Sequence, residues 1–280
     1  GYSLDDQAET TRGLIAMSYS DSDFYNQTMN LQLFYRNESM RFNPFPDLPS
    51  YGFLISKAPS MAAIGDSYVS FSASEQKTQV VGAKLVFTAD PTDKLNLVYG
   101  ADFDFESFEA TQTLYDFKIA RESNGLDLNK IGETGRYPDV DNTSFAGFLQ
   151  AAYDVTSNLT VNTGVRYQYT NTEVSDFVPA TQQYMMLLGH YNSADAVKGG
   201  EKDYSNVLVN TGAIYKINKQ QQVWINFSQG FEILDPAKYY GRGAYDGLPT
   251  PLGVSLPGLG NNLVNGVSVA GTPLDGVKTN

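Results

Sequence analysis

Apolar and polar residues alternate along much of this chain, as they do in β-strands with one apolar and one polar face. The clearest case is Leu159–Thr170, where leucine, valine, threonine and tyrosine at odd positions oppose threonine, asparagine, glycine, arginine and glutamine at even ones. The pattern predicts about eight strands, of which the clearest have the roughly 9–11-residue length that crosses a bilayer when tilted. The other seven are Leu95–Glu106 and Tyr25–Arg36, with weaker alternation at Arg12–Tyr19, Gln79–Thr88, Phe145–Val155, Tyr204–Tyr215 and Val223–Phe231.

Short and long connections alternate between these strands. The short ones are polar turns rich in Asp, Asn, Ser and Pro, which favour tight turns: Asp21–Asp23, Asp90–Asp93, Thr156–Asn158 and Asn218–Gln220. The long ones are Asn37–Gln76, Glu109–Asn142, Glu173–Asp203 and Glu232–Asn280. This order places every short turn at one rim and every long loop at the other. It predicts an all-β, antiparallel transmembrane β-barrel with short periplasmic turns and long extracellular loops.

Aromatic residues concentrate at both ends of the predicted strands, as expected for girdles at two membrane interfaces. A soluble β-sandwich also fills its strands with aromatic residues, but it has no reason to place every long loop at one end. The residues near the turns are Tyr19, Phe24, Tyr25, Phe87, Tyr153 and Tyr215, and those near the loops are Phe103, Phe105, Tyr167, Tyr169 and Phe227.

Composition reduces the number of function classes that the chain could belong to. The 280 residues contain 19 Lys and Arg against 31 Asp and Glu, a formal net charge of −12 that argues against a nucleic-acid partner. With no Cys and one His, the chain cannot form disulfides, thiolate nucleophiles or multi-histidine metal centres. No GxSxG elbow accompanies the single histidine, His190. We therefore expect no enzyme, no intrinsic cofactor and no bound metal.

An acidic ladder lies on one face of the second clear strand. Asp102, Asp104 and Glu106 alternate with phenylalanines, so the three carboxylates point the same way. They indicate either a cation site or selectivity lining, or a solvated wall of a barrel lumen.

Trp224–Gly243 is the most specific motif, with the sequence WINFSQGFEILDPAKYYGRG. It describes a strand, a glycine break, a proline turn and then a loop rich in tyrosine and arginine. Tyrosine and arginine suit binding surfaces, and arginine pairs bidentately with carboxylates. The alternative is a structural loop that packs its tyrosines on itself.

This motif resembles the segment after a mid-barrel strand in TonB-dependent outer-membrane siderophore receptors, most closely those of the ferric-aerobactin, hydroxamate type. Leu274–Lys278 resembles a later LEGVK-like stretch of these receptors, with Asp275 in place of Glu. Gly164–Tyr167, with the sequence GVRY, resembles a common barrel strand of the family.

The resemblance implies part of a barrel of 22 strands with an N-terminal plug inside it, in the outer membrane of a Gram-negative bacterium. It also implies that a ferric siderophore binds at the extracellular mouth and is imported with energy delivered through TonB. We identify neither a plug-like segment nor a TonB-coupling box in this sequence. We therefore expect residues 1–280 to form one partial barrel domain in contact with outer-membrane lipid.

For a siderophore receptor, the ligand brings its own iron, so protein Cys and His ligands are not needed. Residue type and loop placement make Tyr239, Tyr240 and Arg242 the leading candidates for ligand contact. Weaker candidates in the predicted loops are Arg41, Arg121, Arg136 and His190. The main alternative is a small self-contained eight-stranded barrel with a structural or diffusion role.

Overall fold

The computed structural model describes residues 7–47, 70–249, 253 and 255–279. Its main sheet is antiparallel, with strand order β1-β2-β4-β5-β7-β8-β9-β10, and β3 and β6 are short additions that pair with β4 and β5. The strands of this sheet are β1 (Gln7–Asp21), β2 (Thr28–Phe42), β3 (Phe45–Asp47), β4 (Ser70–Thr92), β5 (Leu95–Asp116), β6 (Lys130–Gly135), β7 (Val140–Thr156), β8 (Leu159–Val174), β9 (Gly200–Lys216) and β10 (Gln222–Ser228).

Each of the eight predicted strands corresponds to a strand of the main sheet, but the predicted end of the last one is wrong: β10 stops at Ser228, and Phe231 belongs to β11 (Gly230–Glu232), which pairs outside this sheet. The register of the main sheet brings the predicted faces together. Asp102 on β5 lies opposite Lys84 on β4 and Ala146 on β7, whereas Phe103 lies opposite Ala83 and Phe145. Even positions of β5 therefore share the polar face with β4 and β7, and odd positions share the apolar one. Leu149, on the apolar face of β7, is 46% exposed, as expected for a surface that faces lipid instead of a protein core.

The predicted alternation of connections is also confirmed. Two-residue turns join β4 to β5 at Asp93–Lys94 and β7 to β8 at Ser157–Asn158. The β1–β2 and β9–β10 turns lie at the same end of the sheet, which we call the turn end. The long connections lie at the opposite end, which we call the loop end.

The predicted start of β2 at Tyr25 is wrong. Tyr25 and Asn26 adopt left-handed backbone with φ of 51° and 62°, and β2 begins at Thr28. This turn packs the Phe24 ring 6.0 Å from that of Phe87, which stacks on Tyr99 at 5.4 Å. Tyr25 fits the alternation of the following strand, but its left-handed backbone places it in the turn, next to Phe24.

The strands extend further into the predicted loops than the alternation indicated. β5 continues to Asp116 and β4 begins at Ser70, because the two strands pair with each other as far as Ser70 opposite Asp116. Much of the predicted Asn37–Gln76 loop, residues 48–69, lies outside the described residues. The other long connections contain short elements: α1 (Phe117–Glu122), α2 (Ala180–Leu187), β11 (Gly230–Glu232), α3 (Pro236–Tyr239), β12 (Gly243–Tyr245), β13 (Leu248–Pro249), β14 (Ser255–Leu256), β15 (Leu263–Gly266) and β16 (Val277–Thr279).

Among the described residues, β1 and β10 do not pair with each other and form the two edges of an open sheet. This disagrees with the alternative of a closed eight-stranded barrel, in which the edge strands would pair. Within the same residues, no helix has the length and hydropathy needed to cross a membrane.

Buried apolar clusters hold the loops together at the loop end. One joins Leu114 of β5 and Met185 of α2 to Leu256 and Leu259. The other is built from the beginning of β7, the end of β8 and the segment after β11, with the members Val140, Val174, Ala237, Tyr240, Val269 and Leu274. The second cluster covers part of the polar face and creates the candidate site.

Candidate ligand-binding site

A cavity of about 390 Å³ lies between the polar face of the sheet and the segment that follows β10. Strands β5, β7 and β8 form its floor, and β11 with α3 forms its roof. The floor residues are Asp104, Glu106, Phe108, Val140, Asn142, Ser144, Gln168 and Thr170. The roof residues are Phe231, Ile233, Asp235, Pro236 and Ala237. The floor is polar apart from Phe108 and Val140, and the roof is apolar apart from Asp235, so the cavity combines apolar contact area with several polar groups, as expected of a small-molecule site.

The floor contains two members of the predicted acidic ladder. Asp102 is paired bidentately with Arg166, whose two terminal nitrogens lie 2.7 and 2.8 Å from its oxygens. Glu106 is 4.0 Å from Arg36, and Asp104 lies between these two pairs. The ladder therefore favours ligand groups that donate hydrogen bonds and disfavours free carboxylates at this depth. Among the described residues, no group of three or more His, Cys, Asp or Glu is placed to hold a metal ion.

The Arg166–Asp102 pair crosses over β7, so it ties β8 to β5. We expect Arg166→Gln to lower the free energy of unfolding of the full-length protein in lipid vesicles by about 1–3 kcal/mol, since Asp102 loses a charged partner in a half-buried place. The matched control is Arg12→Gln, because Arg12 is an exposed residue 3.5 Å from Glu38. A surface pair of this kind contributes about 0–1 kcal/mol. Equal effects in a urea titration would contradict this ranking.

The α3 part of the roof is a single helical turn that is capped at its N-terminus. The Asp235 side chain caps α3 by accepting the Lys238 backbone N–H at 3.3 Å, and Pro236 occupies the first helical position. The Lys238 ammonium lies 2.9 Å from the Asp235 carboxylate, whose hydrogen bond raises the pKa of Lys238. Ala237 is buried beneath this turn.

The two candidate tyrosines at the end of α3 differ in exposure. Tyr239 is 38% exposed, whereas Tyr240 is 4% exposed. Their rings meet edge to face at 5.1 Å. The Tyr240 hydroxyl accepts a hydrogen bond from the Leu274 N–H at 2.7 Å, and burial raises the pKa of Tyr240. Ligand contact by either tyrosine stays a prediction.

Two of the candidate arginines, Arg136 and Arg242, lie near the buried cluster that contains Tyr240. The half-buried Arg136 guanidinium lies 5.5 Å above the Tyr137 ring, which packs against the cluster that contains Tyr240. Arg242 is exposed, and its backbone carbonyl accepts from the Val267 N–H at 2.8 Å. We call Tyr239, Arg242, Arg136 and Tyr137 the α3 surface, because each lies within two residues of Tyr240 or of Tyr137, which packs against the same cluster. It contains two arginines and two aromatic rings.

The other three candidates are distributed over separate elements. Arg41 is on β2 beside Glu9 at 3.9 Å, and Arg121 lies in α1 with its guanidinium 5.7 Å above the Phe117 ring. His190 is exposed after α2, and its backbone N–H donates to the Met185 backbone carbonyl. None of the seven candidates lines the cavity.

Sequence reasoning missed the uncharged part of the floor. Asn142, Ser144, Gln168 and Thr170 occupy polar positions of the alternation on β7 and β8. The Ser144 and Thr170 hydroxyls are 3.2 Å apart across the two strands. The alternation placed Gln168 and Thr170 on the polar face of β8, but Asn142 and Ser144 lie before the predicted strand Phe145–Val155, in a part of β7 that was expected to be loop. The strand register brings Ser144 opposite Asp104.

Comparison with known proteins adds independent findings. A family model described as "TonB dependent receptor-like, beta-barrel" matches residues 1–273. The chain is 43% identical to the "Rhizobactin receptor" of Rhizobium meliloti (strain 1021), a match that covers 100% of this chain and 34% of the relative. It is 41% identical to the "Ferric aerobactin receptor" of Klebsiella pneumoniae, covering 96% of this chain and 34% of the relative. The chain thus spans about a third of the length of these curated relatives.

Solved structures with little sequence identity share the fold. The chain superposes on the "Copper transporter OprC" with a TM-score of 0.60 at 12% identity, covering 91% of this chain and 34% of that one. It superposes on the ferric citrate transporter FecA in the unliganded form with a TM-score of 0.54 at 12% identity, covering 79% and 27%. Both likenesses concern the strand arrangement alone.

Proposed function

This chain belongs to the TonB-dependent receptor β-barrel family, and from that premise we propose that the protein containing it imports a ferric siderophore across an outer membrane. The observation that carries the proposal is identity of 43% and 41% to receptors named for rhizobactin and ferric aerobactin, over nearly all of this chain. The motif at Trp224–Gly243 favours a siderophore of the hydroxamate or citrate–hydroxamate type.

The proposed setting is the outer membrane of a Gram-negative bacterium. Support comes from the exposed apolar residues that line one face of the sheet, such as Leu149, Val165 and Val209. Lipid would cover this face, because apolar side chains in such numbers are unfavourable in water. The TonB complex would act through a region outside residues 1–280.

The proposed route runs from the α3 surface toward the polar face of the sheet. A ferric complex with carboxylate groups is attracted to Arg242 and Arg136, and its planar groups stack on Tyr239. The acidic floor of the cavity repels free carboxylates, so the anionic part of the ligand remains at the α3 surface. No covalent step is required, because the siderophore already holds the iron.

We expect Arg242→Ala and Tyr239→Ala each to raise the Kd of the full-length protein for ferric aerobactin by about tenfold, which corresponds to about 1.4 kcal/mol. Both residues are exposed on the α3 surface. The measurement is fluorescence quenching on titration with the ferric complex. The matched control is Lys94→Ala, which removes a cation at the turn end of the sheet.

Two outcomes distinguish an error in the proposed ligand class from an error in the proposed binding surface. If the wild-type protein fails to bind ferric aerobactin but binds another ferric siderophore, the family role stands and the ligand class is wrong. If Lys94→Ala weakens binding as much as Arg242→Ala, the α3 surface is not the binding surface.

A further inference from the structure

The two sequence motifs at the ends of the last long connection meet in the structure. β11, within the FSQGFE motif, pairs antiparallel with β16, within the LDGVK motif. The paired residues are Gly230 with Thr279, Phe231 with Lys278 and Glu232 with Val277. Two segments separated by more than forty residues in sequence therefore close a loop, which we call the return loop (residues 233–276).

A pair of tyrosines holds Leu274 at the end of the return loop. The Tyr204 hydroxyl donates to the Leu274 carbonyl at 2.8 Å, and the Tyr240 hydroxyl accepts from the Leu274 N–H at 2.7 Å. Leu274, Tyr204 and Tyr240 are 5%, 7% and 4% exposed. Both backbone groups of one buried residue are thus satisfied by side chains, one from β9 and one from the return loop itself. We call this arrangement the tyrosine clamp.

The residues after Leu274 make further contacts with the same elements. The Asp275 carboxylate is 3.7 Å from the Lys202 ammonium on β9. Gly276 lies against the Phe231 ring, where an added Cβ would stand 2.0 Å from a ring carbon. The Lys278 ammonium donates to the Val207 carbonyl at 2.9 Å. The LDGVK motif is therefore explained as an attachment of the return loop to β9 and β11.

The clamp also fixes the roof of the cavity. Leu274 and Tyr240 belong to the same buried cluster as Ala237, and Ile233 packs against that cluster. Ile233 and Ala237 are roof residues, and Tyr239 on the α3 surface directly precedes Tyr240. A shift of Leu274 would move the roof and the α3 surface together.

We propose that Tyr204 and Tyr240 are positioning residues, which set the affinity for the ferric ligand by clamping Leu274 without touching the ligand. This inference rests on the proposed function. It assigns a different role to Tyr240 from the ligand contact expected from sequence. Because the tyrosine rings also fill buried space, the test removes only their hydroxyl groups.

The first experiment measures ferric aerobactin binding by the full-length protein carrying Tyr240→Phe or Tyr204→Phe. Each change leaves one buried backbone group of Leu274 without its partner, and we expect about a tenfold rise in Kd. The double variant should lose less than the product of the two single effects, because both hydroxyls hold the same residue. Tyr167→Phe is the matched control, since Tyr167 is 52% exposed on the apolar face of β8.

Hydrogen exchange supplies a readout that does not depend on the ligand. The Leu274 amide should exchange faster in Tyr240→Phe than in the wild type, whereas amides in the middle of β8 should not change. A general loss of folding would raise exchange in both places. Unchanged exchange at Leu274 would overturn the clamp.

A cross-link distinguishes positioning from direct contact. Glu232 and Val277 are paired across β11 and β16, and antiparallel pairs lie within the Cα separation that a disulfide spans. The 280 residues contain no cysteine, so Glu232→Cys with Val277→Cys adds one defined pair to this region. Oxidation in the Tyr240→Phe background should restore most of the lost affinity, and reduction should remove the gain.

The outcomes separate this inference from the proposed function. If wild-type protein binds and the oxidised cross-link fails to rescue Tyr240→Phe, the hydroxyl acts on the ligand directly and the inference is overturned. Unchanged affinity in both single variants overturns it as well. If the wild type binds no ferric siderophore, the proposed function fails, and the positioning role fails with it, whatever hydrogen exchange shows at Leu274.

Discussion

Leu149→Arg is expected to lower the free energy of unfolding of the full-length protein in lipid vesicles by about 2–4 kcal/mol, the cost of an arginine on the lipid face near the bilayer midplane. Leu149 lies on the apolar face of β7, midway between Phe145 and Tyr153 on the same face. Its partners across the sheet are Tyr99 and Val165. An arginine here lies between Tyr99 and Val165 with no carboxylate directly opposite it, and lipid would surround it in the proposed membrane setting.

The matched control is the next residue along the strand. Gln150 lies at nearly the same depth but on the polar face, opposite Gly164. Gln150→Arg should change the free energy of unfolding by no more than about 1 kcal/mol, since a hydrated wall accepts a charge. Equal costs for the two variants would mean that the two faces do not differ in solvent, which contradicts a membrane-spanning sheet.

Gly199→Ala is expected to have the second large effect, a loss of about 3 kcal/mol in local stability at the loop end. A Cβ at this position would stand 2.0 Å from the Val174 carbonyl oxygen and 2.6 Å from the Ser175 carbonyl carbon. Both are backbone atoms, so no side-chain rotation relieves the clash. The backbone between β8 and β9 must therefore move.

The consequence of that movement reaches the return loop. Val197, two residues before Gly199, is 1% exposed and lies against Gly243 and Gly266, the residues that begin β12 and end β15. Amide hydrogen exchange should increase at residues 195–200, 243–249 and 255–266, and the affinity for ferric aerobactin should fall. Gly13→Ala is the control, because nothing lies within 4 Å of its added Cβ. Exchange that rises equally in both variants would refute the steric explanation.

The strands could be predicted because the two faces of each strand meet different environments, and this difference produces the alternation of apolar and polar residues. Leu159–Thr170 predicted β8 to within four residues of its end. The polar turn segments marked the right connections, although Asp90, Pro91 and Thr92 of the predicted Asp90–Asp93 turn belong to β4 and the turn itself is Asp93–Lys94. Tyr25 was misplaced because an aromatic residue satisfies the alternation equally well in a strand or in a turn that packs on Phe87 and Tyr99. The family resemblance is confirmed by the model that matches residues 1–273.

The loop end could not be predicted, because its structure depends on contacts between distant segments. The sequence around Tyr240 does not indicate that its hydroxyl accepts a hydrogen bond from the backbone N–H of Leu274, more than thirty residues away. Tyr239 and Tyr240 are equivalent in sequence and differ in burial only because the return loop folds back. The cavity floor likewise depends on register, which brings Ser144 of β7 beside Thr170 of β8. Residue type alone does not separate the candidate arginines: Arg136 and Arg242 lie near the cluster that contains Tyr240, whereas Arg41 and Arg121 lie on β2 and α1.

Energised import of a ferric siderophore is the central property proposed for the protein that contains this chain. The most direct measurement is uptake of ferric aerobactin labelled with radioactive iron, by iron-limited cells that produce the full-length protein, with and without a functional TonB complex. We expect uptake in cells with TonB, and surface binding without uptake in cells that lack it. Uptake that proceeds equally without TonB would indicate diffusion through a pore, and the absence of both binding and uptake for every ferric siderophore tried would contradict the receptor assignment.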